Sequence, residues 1–177
     1  MKPDKKQVVM EWYDQYYHDI YRFVLFMIGD QQCCEDLVHD TFVRAYTAYD
    51  RFDNQSNVKT WLFSIAKHLV LDEIRKRQRR RLWLTNVLVR DIPSSFDLEK
   101  YIENKDLIVD LGKRIYNLKP HYRLVVTLLK IEECTTKEAA EILNWTEVKV
   151  RKTLSRALQS LRKMDIRPGG EQIERLS

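Results

Sequence analysis

An all-α protein, built as two small helical domains joined by a linker, is the architecture this sequence predicts, and three observations predict it. Apolar residues recur at helical spacing through most of the chain. Four glycines and four prolines in 177 residues are too few turn formers for a β protein, and 44% hydrophobic residues are too many for a disordered one. Periodicity then fails between 82 and 100, where "DIPSSFD" brings Pro93 and paired serines, the marks of a linker. The resulting division is 8–81 for the first domain, 82–103 for the linker, 104–165 for the second domain and 166–177 for a frayed tail.

The first helix is expected over 8–28, with Tyr13, Tyr17, Ile20, Phe23, Val24 and Met27 at helical intervals. Gly29 suits the left-handed residue that ends it, and Asp30 suits the N-cap of the next. The second helix, 31–49, buries Leu37, Val38, Thr41, Phe42 and Ala45 and sets Asp36, Asp40 and Arg44 four residues apart on another face. A third runs over about 59–79, Leu62, Ile65, Ala66 and Leu69 forming one side. The apolar run "LWLTNVLV" at 82–89 is out of place in an exposed linker and should extend this helix or pack on a partner. In the second domain helical period returns from Tyr101 to Leu118; Pro120 then opens a helix spanning 121–132, and two more cover 136–143 and 147–164.

A net charge of +5 and a pI near 9.0 favour a polyanionic partner, more so because the charge is clustered at Arg75 to Arg81 and across Lys149 to Lys163. Cys33, Cys34 and Cys134 are odd in number and two are adjacent, which fits reduced thiols better than a disulfide framework, and with His39 they make no recognisable zinc pattern. No apolar run approaches the roughly 18 residues of a membrane span, so a soluble, cytoplasmic protein without membrane insertion, metal or cofactor is expected.

"TTKEAAEILNWTEVKVRKTLSRALQSLRK" reads as a helix-turn-helix. Thr136 is a candidate N-cap, Ala139 and Ala140 allow close helix crossing, Asn144 can take the left-handed conformation of the turn and Thr146 can cap the second helix. Val150, Leu154, Ala157 and Leu161 form the predicted buried stripe, and Lys149, Lys152, Thr153, Arg156 and Ser160 the opposite face. Such a basic, hydroxyl-bearing face suits the major groove, though an amphipathic hairpin with a solvated basic face would carry the same pattern.

Taken with that motif, "CEDLVHDTFVRAYTAYDRF" and "VKTWLFSIAKHLVLDEIRKRQRR" make the chain resemble the extracytoplasmic-function (group IV) sigma factors of bacterial RNA polymerase, over roughly 16–163. The resemblance implies a three- or four-helix region 2 and a helix-turn-helix region 4. It implies docking of Glu35, Asp36, Asp40 and Arg44 on the clamp helices of the polymerase's largest subunit, with region 4 on the flap of the second-largest. It also implies capture of a flipped minus-ten base by the loop carrying Asn54, Gln55, Ser56 and Asn57, whose amides and hydroxyl suit an unpaired base edge. Trp61 would add stacking surface, and Lys59, Lys67, Arg75, Lys76 and Arg77 phosphate contacts.

The minus-thirty-five duplex would meet Thr146, Lys149, Arg151, Lys152, Thr153, Ser155 and Arg156. The chain departs from the family at Asn144, Trp145 and Thr153, where glycine, an aliphatic residue and often arginine stand, so base preference does not transfer. An anti-sigma factor is an expected partner, with 82–89 as a candidate contact. Two other readings compete: a helix-turn-helix regulator acting without polymerase, which leaves 36–81 without a role, and a nucleic-acid-processing enzyme using His39 or His68.

Overall fold

The computed structural model describes residues 4–83 and 105–165, all of whose regular structure is helical. Most of the expected linker and the whole of the 166–177 tail lie outside the described residues, as do 84–89 of the apolar run.

Helix α1 (Lys5–Ile28) starts where the Asp4 carboxylate accepts from the Lys6 N–H at 3.2 Å. It stops at Gly29, whose φ of 72° only glycine adopts without cost, and whose N–H donates to the Leu25 carbonyl. Asp30 then caps α2 (Gln31–Ala48) by accepting from the Cys33 N–H at 3.1 Å, as the sequence suggests. A 3-10 turn over Tyr49–Arg51 and a polar loop lead to α3 (Val58–Trp83), capped by the Asn57 side-chain oxygen on the Lys59 N–H at 2.9 Å. This helix runs past the expected end at 79, carrying Leu82 and Trp83 into solvent. The three helices close over Phe23, Met27, Val38, Phe42, Leu62 and Val70, each fully buried apolar side chain contributing about 1.5–3 kcal/mol.

The second half comprises α4 (Lys105–Tyr116), α5 (Pro120–Val126), α6 (Thr136–Leu143) and α7 (Glu147–Asp165). Pro120 occupies the first turn of α5, where its missing N–H costs nothing. The single helix expected over 121–132 instead changes at Thr127 to a π-helical turn, Thr127–Ile131, closed by Glu132 N–H to the Thr127 carbonyl. Thr135, rather than Thr136, caps α6. Glu138 is three residues beyond Thr135, so the two side chains satisfy each other's backbone N–H groups in a capping box.

The two expected domains share one continuous apolar core. Helix α6 packs on α3, while α4, α5 and the π-turn pack on α1. Arg22 of α1 donates from Nη2 to the Glu132 carboxylate at 2.6 Å and from Nε at 2.8 Å, with Asp19 and Lys59 completing an ion cluster. The α1 C-terminus carries no base of its own; Arg77 donates to the Ile28 carbonyl and Arg123 to that of Met27, each placing a cation at the negative end of the helix.

Candidate nucleic-acid and partner interface

On α2 the alternation of buried and exposed positions leaves Glu35, Asp36, Asp40 and Arg44 in solvent, on the side away from Leu37, Val38 and Thr41. Val43 and Tyr46, 48% and 45% exposed, stand on or beside this face. The Tyr46 ring receives the Lys5 ammonium 4.6 Å from its centroid, and Val43 stands exposed between Asp40 and Arg44. Sequence reading missed both. Val43 was legible as an apolar residue one position from Arg44, outside the buried stripe.

The polar loop is shaped by local contacts. Asp53 accepts from the Gln55 N–H at 3.1 Å, and Asn54 takes a left-handed φ of 57°, which asparagine tolerates better than most residues. Asn54, Gln55 and Asn57 are exposed and Ser56 half-buried, so their polar groups face outward except for the Asn57 oxygen that caps α3.

Several basic residues expected beside that loop are engaged within the protein. Lys59 pairs with Asp19 at 3.0 Å in the cluster joining the two halves. Lys67 is 7% exposed, and burial lowers its pKa, so it lies in the packed side of α3 rather than on a phosphate-binding surface. Arg77 pairs with Glu73 at 2.9 Å and Asp30 at 3.6 Å besides capping α1. Trp61 is half-buried with one face stacked on Phe52 at 4.6 Å and Trp12 edge-on at 5.9 Å, while Phe63 is wholly core. The exposed cations of α3 are Arg75, which pairs with Asp72, and then Lys76, Arg79, Arg80 and Arg81 beyond it, beside an 88% exposed Trp83.

The helix-turn-helix is formed as expected at its turn: Asn144 has φ 54° and ψ 46°, and Thr146 Oγ1 accepts from the Lys149 N–H at 3.2 Å to start α7. Lys149, Arg151, Lys152, Ser155 and Arg156 are exposed, with Arg151 paired to Glu147 at 3.2 Å. Thr153 departs from expectation at 9% exposure. The buried stripe of α7 runs Val150, Thr153, Ala157, Leu161, with Thr153 largely buried at the wall of an open cleft between α5 and α7 and Leu154 half-buried at the edge. Val148, near the start of α7, is an apolar side chain left 54% exposed beside these polar groups.

No cluster of three metal-ligating side chains occurs among the described residues. Burial pushes the Cys134 thiol up to about 11 and raises Cys33 and Cys34 as well, the charge of Arg77 opposing the shift at Cys33; thiols so shifted are poor nucleophiles. His39 is exposed, and His68 Nδ1 lies 2.6 Å from the Ser64 carbonyl of its own helix. No helix among the described residues is long and apolar enough to cross a membrane.

The helices carry an exposed charged face on α2 and a helix-turn-helix whose second helix bears exposed basic residues, and comparison with known proteins gives these a family. The family model "Sigma-70 region 2" matches residues 12–80, and "Sigma-70, region 4" matches 109–161. The chain is 32% identical to the ECF RNA polymerase sigma factor SigX of Bacillus subtilis, over 85% of this chain and 80% of that one. With SigM of the same organism the identity is 31% over 86% and 91%. Among solved structures, RpoE in complex with the anti-sigma factor NepR from Bartonella quintana superposes with a TM-score of 0.70 at 23% identity, covering 88% of this chain and 94% of that one. CnrH in complex with the cytosolic domain of CnrY gives 0.68 at 21% identity, covering 90% and 88%. The chain belongs to the ECF family of RNA polymerase sigma factors, which are transcription initiation factors rather than enzymes.

Proposed function

We propose that this chain binds bacterial core RNA polymerase in the cytoplasm through the α2 face and directs it to promoters carrying two separated elements. Glu35, Asp36, Asp40 and Arg44, with Val43 between them, meet the largest subunit's clamp helices. Residues 8–81 and 104–165 act as separate modules once on the polymerase, the second resting on the flap of the second-largest subunit. The loop of Asn54, Gln55, Ser56 and Asn57 receives an unpaired minus-ten base and so helps to melt that element, and Arg75 and Lys76 track the strand's phosphates. Thr146, Lys149, Arg151, Lys152, Ser155 and Arg156 meet the minus-thirty-five duplex.

The observation that carries this reading is the exposed acidic line of α2 on the same chain as the exposed basic face of α7. A regulator acting alone would need only the second. Nucleotide addition is the polymerase's chemistry, and this chain supplies binding and position. Because one of the superposed solved structures is a complex with an anti-sigma factor, an inhibitor of that kind is the expected controlling partner.

Run-off transcription with bacterial core polymerase, this protein and a genomic-fragment library tests the reading. Discrete starts, each preceded by the same two elements, are expected. Failure to form any complex with core would overturn it in favour of the stand-alone regulator.

A further inference from the structure

Between α5 and α7 lies an open cleft of about 510 Å³, lined on one side by His121 and on the other by Trp145, Lys149, Lys152 and Arg156. None of its lining residues is acidic. A cleft with three cations and an imidazole, and no internal counter-charge, is complementary to an anion. It opens beside the first two turns of α7, the part of a recognition helix that approaches a DNA duplex, so the anion it would meet there is a backbone phosphate.

One side chain at this cleft is already positioned. The Lys149 ammonium lies over the Trp145 ring, 4.0 Å from its centroid. Aromatic faces attract cations without using their N–H donors, so a lysine held this way keeps its donors for a phosphate while losing the freedom of its four-carbon stem. An aliphatic residue at 145 would hold no cation.

We propose that the α5–α7 cleft holds a backbone phosphate of the duplex, His121 donating to it from α5 and Lys149 being kept at the cleft by Trp145. The proposal rests on the reading that α7 engages duplex DNA, and assigns roles to His121 and Trp145 that this reading does not contain. Trp145 is a positioning residue and need not touch the DNA.

A pH signature follows. Partial burial, with Lys119 at the start of α5 and Lys149 of α7 as the facing charges, holds the His121 imidazole below its ordinary range, and Lys152 and Arg156 line the same cleft. A phosphate among these cations offsets their repulsion and raises the imidazole's proton affinity. Its pKa is thus higher in the complex than in the free protein, binding takes up protons, and affinity rises as pH falls through that interval.

The test uses the full chain and a duplex that it has itself selected from a randomised pool, with affinity measured by fluorescence anisotropy from about pH 8 to about pH 6. The expected result is tighter binding at the acid end for the parent and a flattened pH response for His121→Gln. Trp145→Leu should weaken binding about two- to fivefold, Trp145→Phe should restore most of it, and Trp145→Leu should add nothing to Lys149→Met. Thermal unfolding of each variant separates lost packing from lost positioning. Equal pH responses of parent and His121→Gln, or equal affinities of parent and a folded Trp145→Leu, overturn the cleft assignment while duplex binding by α7 stands. A parent that selects no duplex overturns the α7 reading and the proposal with it.

Discussion

The two surfaces offered to DNA differ in what their cations do. On α7, Lys149, Lys152 and Arg156 face solvent around an acid-free cleft. On the N-terminal half of α3, Lys59 pairs with Asp19, Lys67 is buried and α6 packs against the same helix. Farther along, Arg77 pairs with Asp30 and Glu73. One surface is presented for binding as it stands; on the other these cations are paired or buried within the fold, Lys59 in the ion cluster at the junction of the two halves. Counting basic residues in a segment therefore says little about phosphate affinity until each charge's nearest partner is known.

Breaking the junction should give the largest effect. The Glu132 side chain is fully buried, and Arg22 is its principal counter-charge, so Arg22→Met leaves a buried carboxylate without that partner and should cost about 3 kcal/mol by denaturant unfolding. The loss should depend on pH with a definite sign. Burial raises the Glu132 carboxyl above its ordinary range, with Arg22 pulling it back down. Removing Arg22 lets it rise further. Between its unfolded and folded pKa values the folded chain holds the extra proton, so stability falls as pH rises through that window. The variant's deficit should be largest near neutrality and shrink as pH drops toward about 5. A deficit that does not change with pH would show that Glu132 is not the group being stranded.

The α2 face sharpens the contrast between surfaces committed within the fold and surfaces left free. Asp36 and Asp40 are exposed, so the double replacement by alanine should leave thermal unfolding nearly unchanged while weakening core polymerase binding about tenfold. Equal affinity in a pull-down would remove them from the interface. On α7 charge separates neighbours at the same cleft: Arg156→Ala should lower the salt slope of duplex binding by about one, whereas Thr153→Val, which removes no charge, should leave the slope where it was.

What could be read before folding divides along the same line. The junction of α1 and α2 was legible because its causes are local: Gly29 and Asp30 lie within four residues of the groups they bond, and helical periodicity marks α1 to α3. The fates of Lys59, Lys67 and Arg77 were not, because they depend on neighbours brought in by the fold. Lys59 meets Asp19 of α1, and Arg77 reaches a carbonyl 49 residues away. Thr153 lies deeper than its place on the basic face suggests, for a different reason. Threonine carries a methyl and a hydroxyl, so a stripe stepping three then four residues accepts it where a charged residue could not go. The π-turn had no sequence signal, yet it ends at Glu132, which carries the ion pair between the halves.

The smallest effect isolates a purely local device, against which the junction can be judged. Asn144 sits at φ 54° and ψ 46°, and its N–H donates to the Glu141 carbonyl at 3.2 Å, so the backbone here is fixed by the turn whatever the side chain. Left-handed conformation costs most residues about 1 kcal/mol, asparagine less and glycine least. Asn144→Ala should therefore destabilise by about 1 kcal/mol, and Asn144→Gly should be neutral or stabilise by a few tenths. Both should leave duplex affinity unchanged at temperatures where the chain is folded, because the Asn144 side chain is not among the groups lining the α7 cleft, although Trp145 and Thr146 beside it are. Were Asn144→Gly instead to weaken duplex binding with stability intact, the turn's stiffness would be setting the angle of α7, and the contrast between a presented surface and a committed one would have to include the backbone that joins α6 to α7.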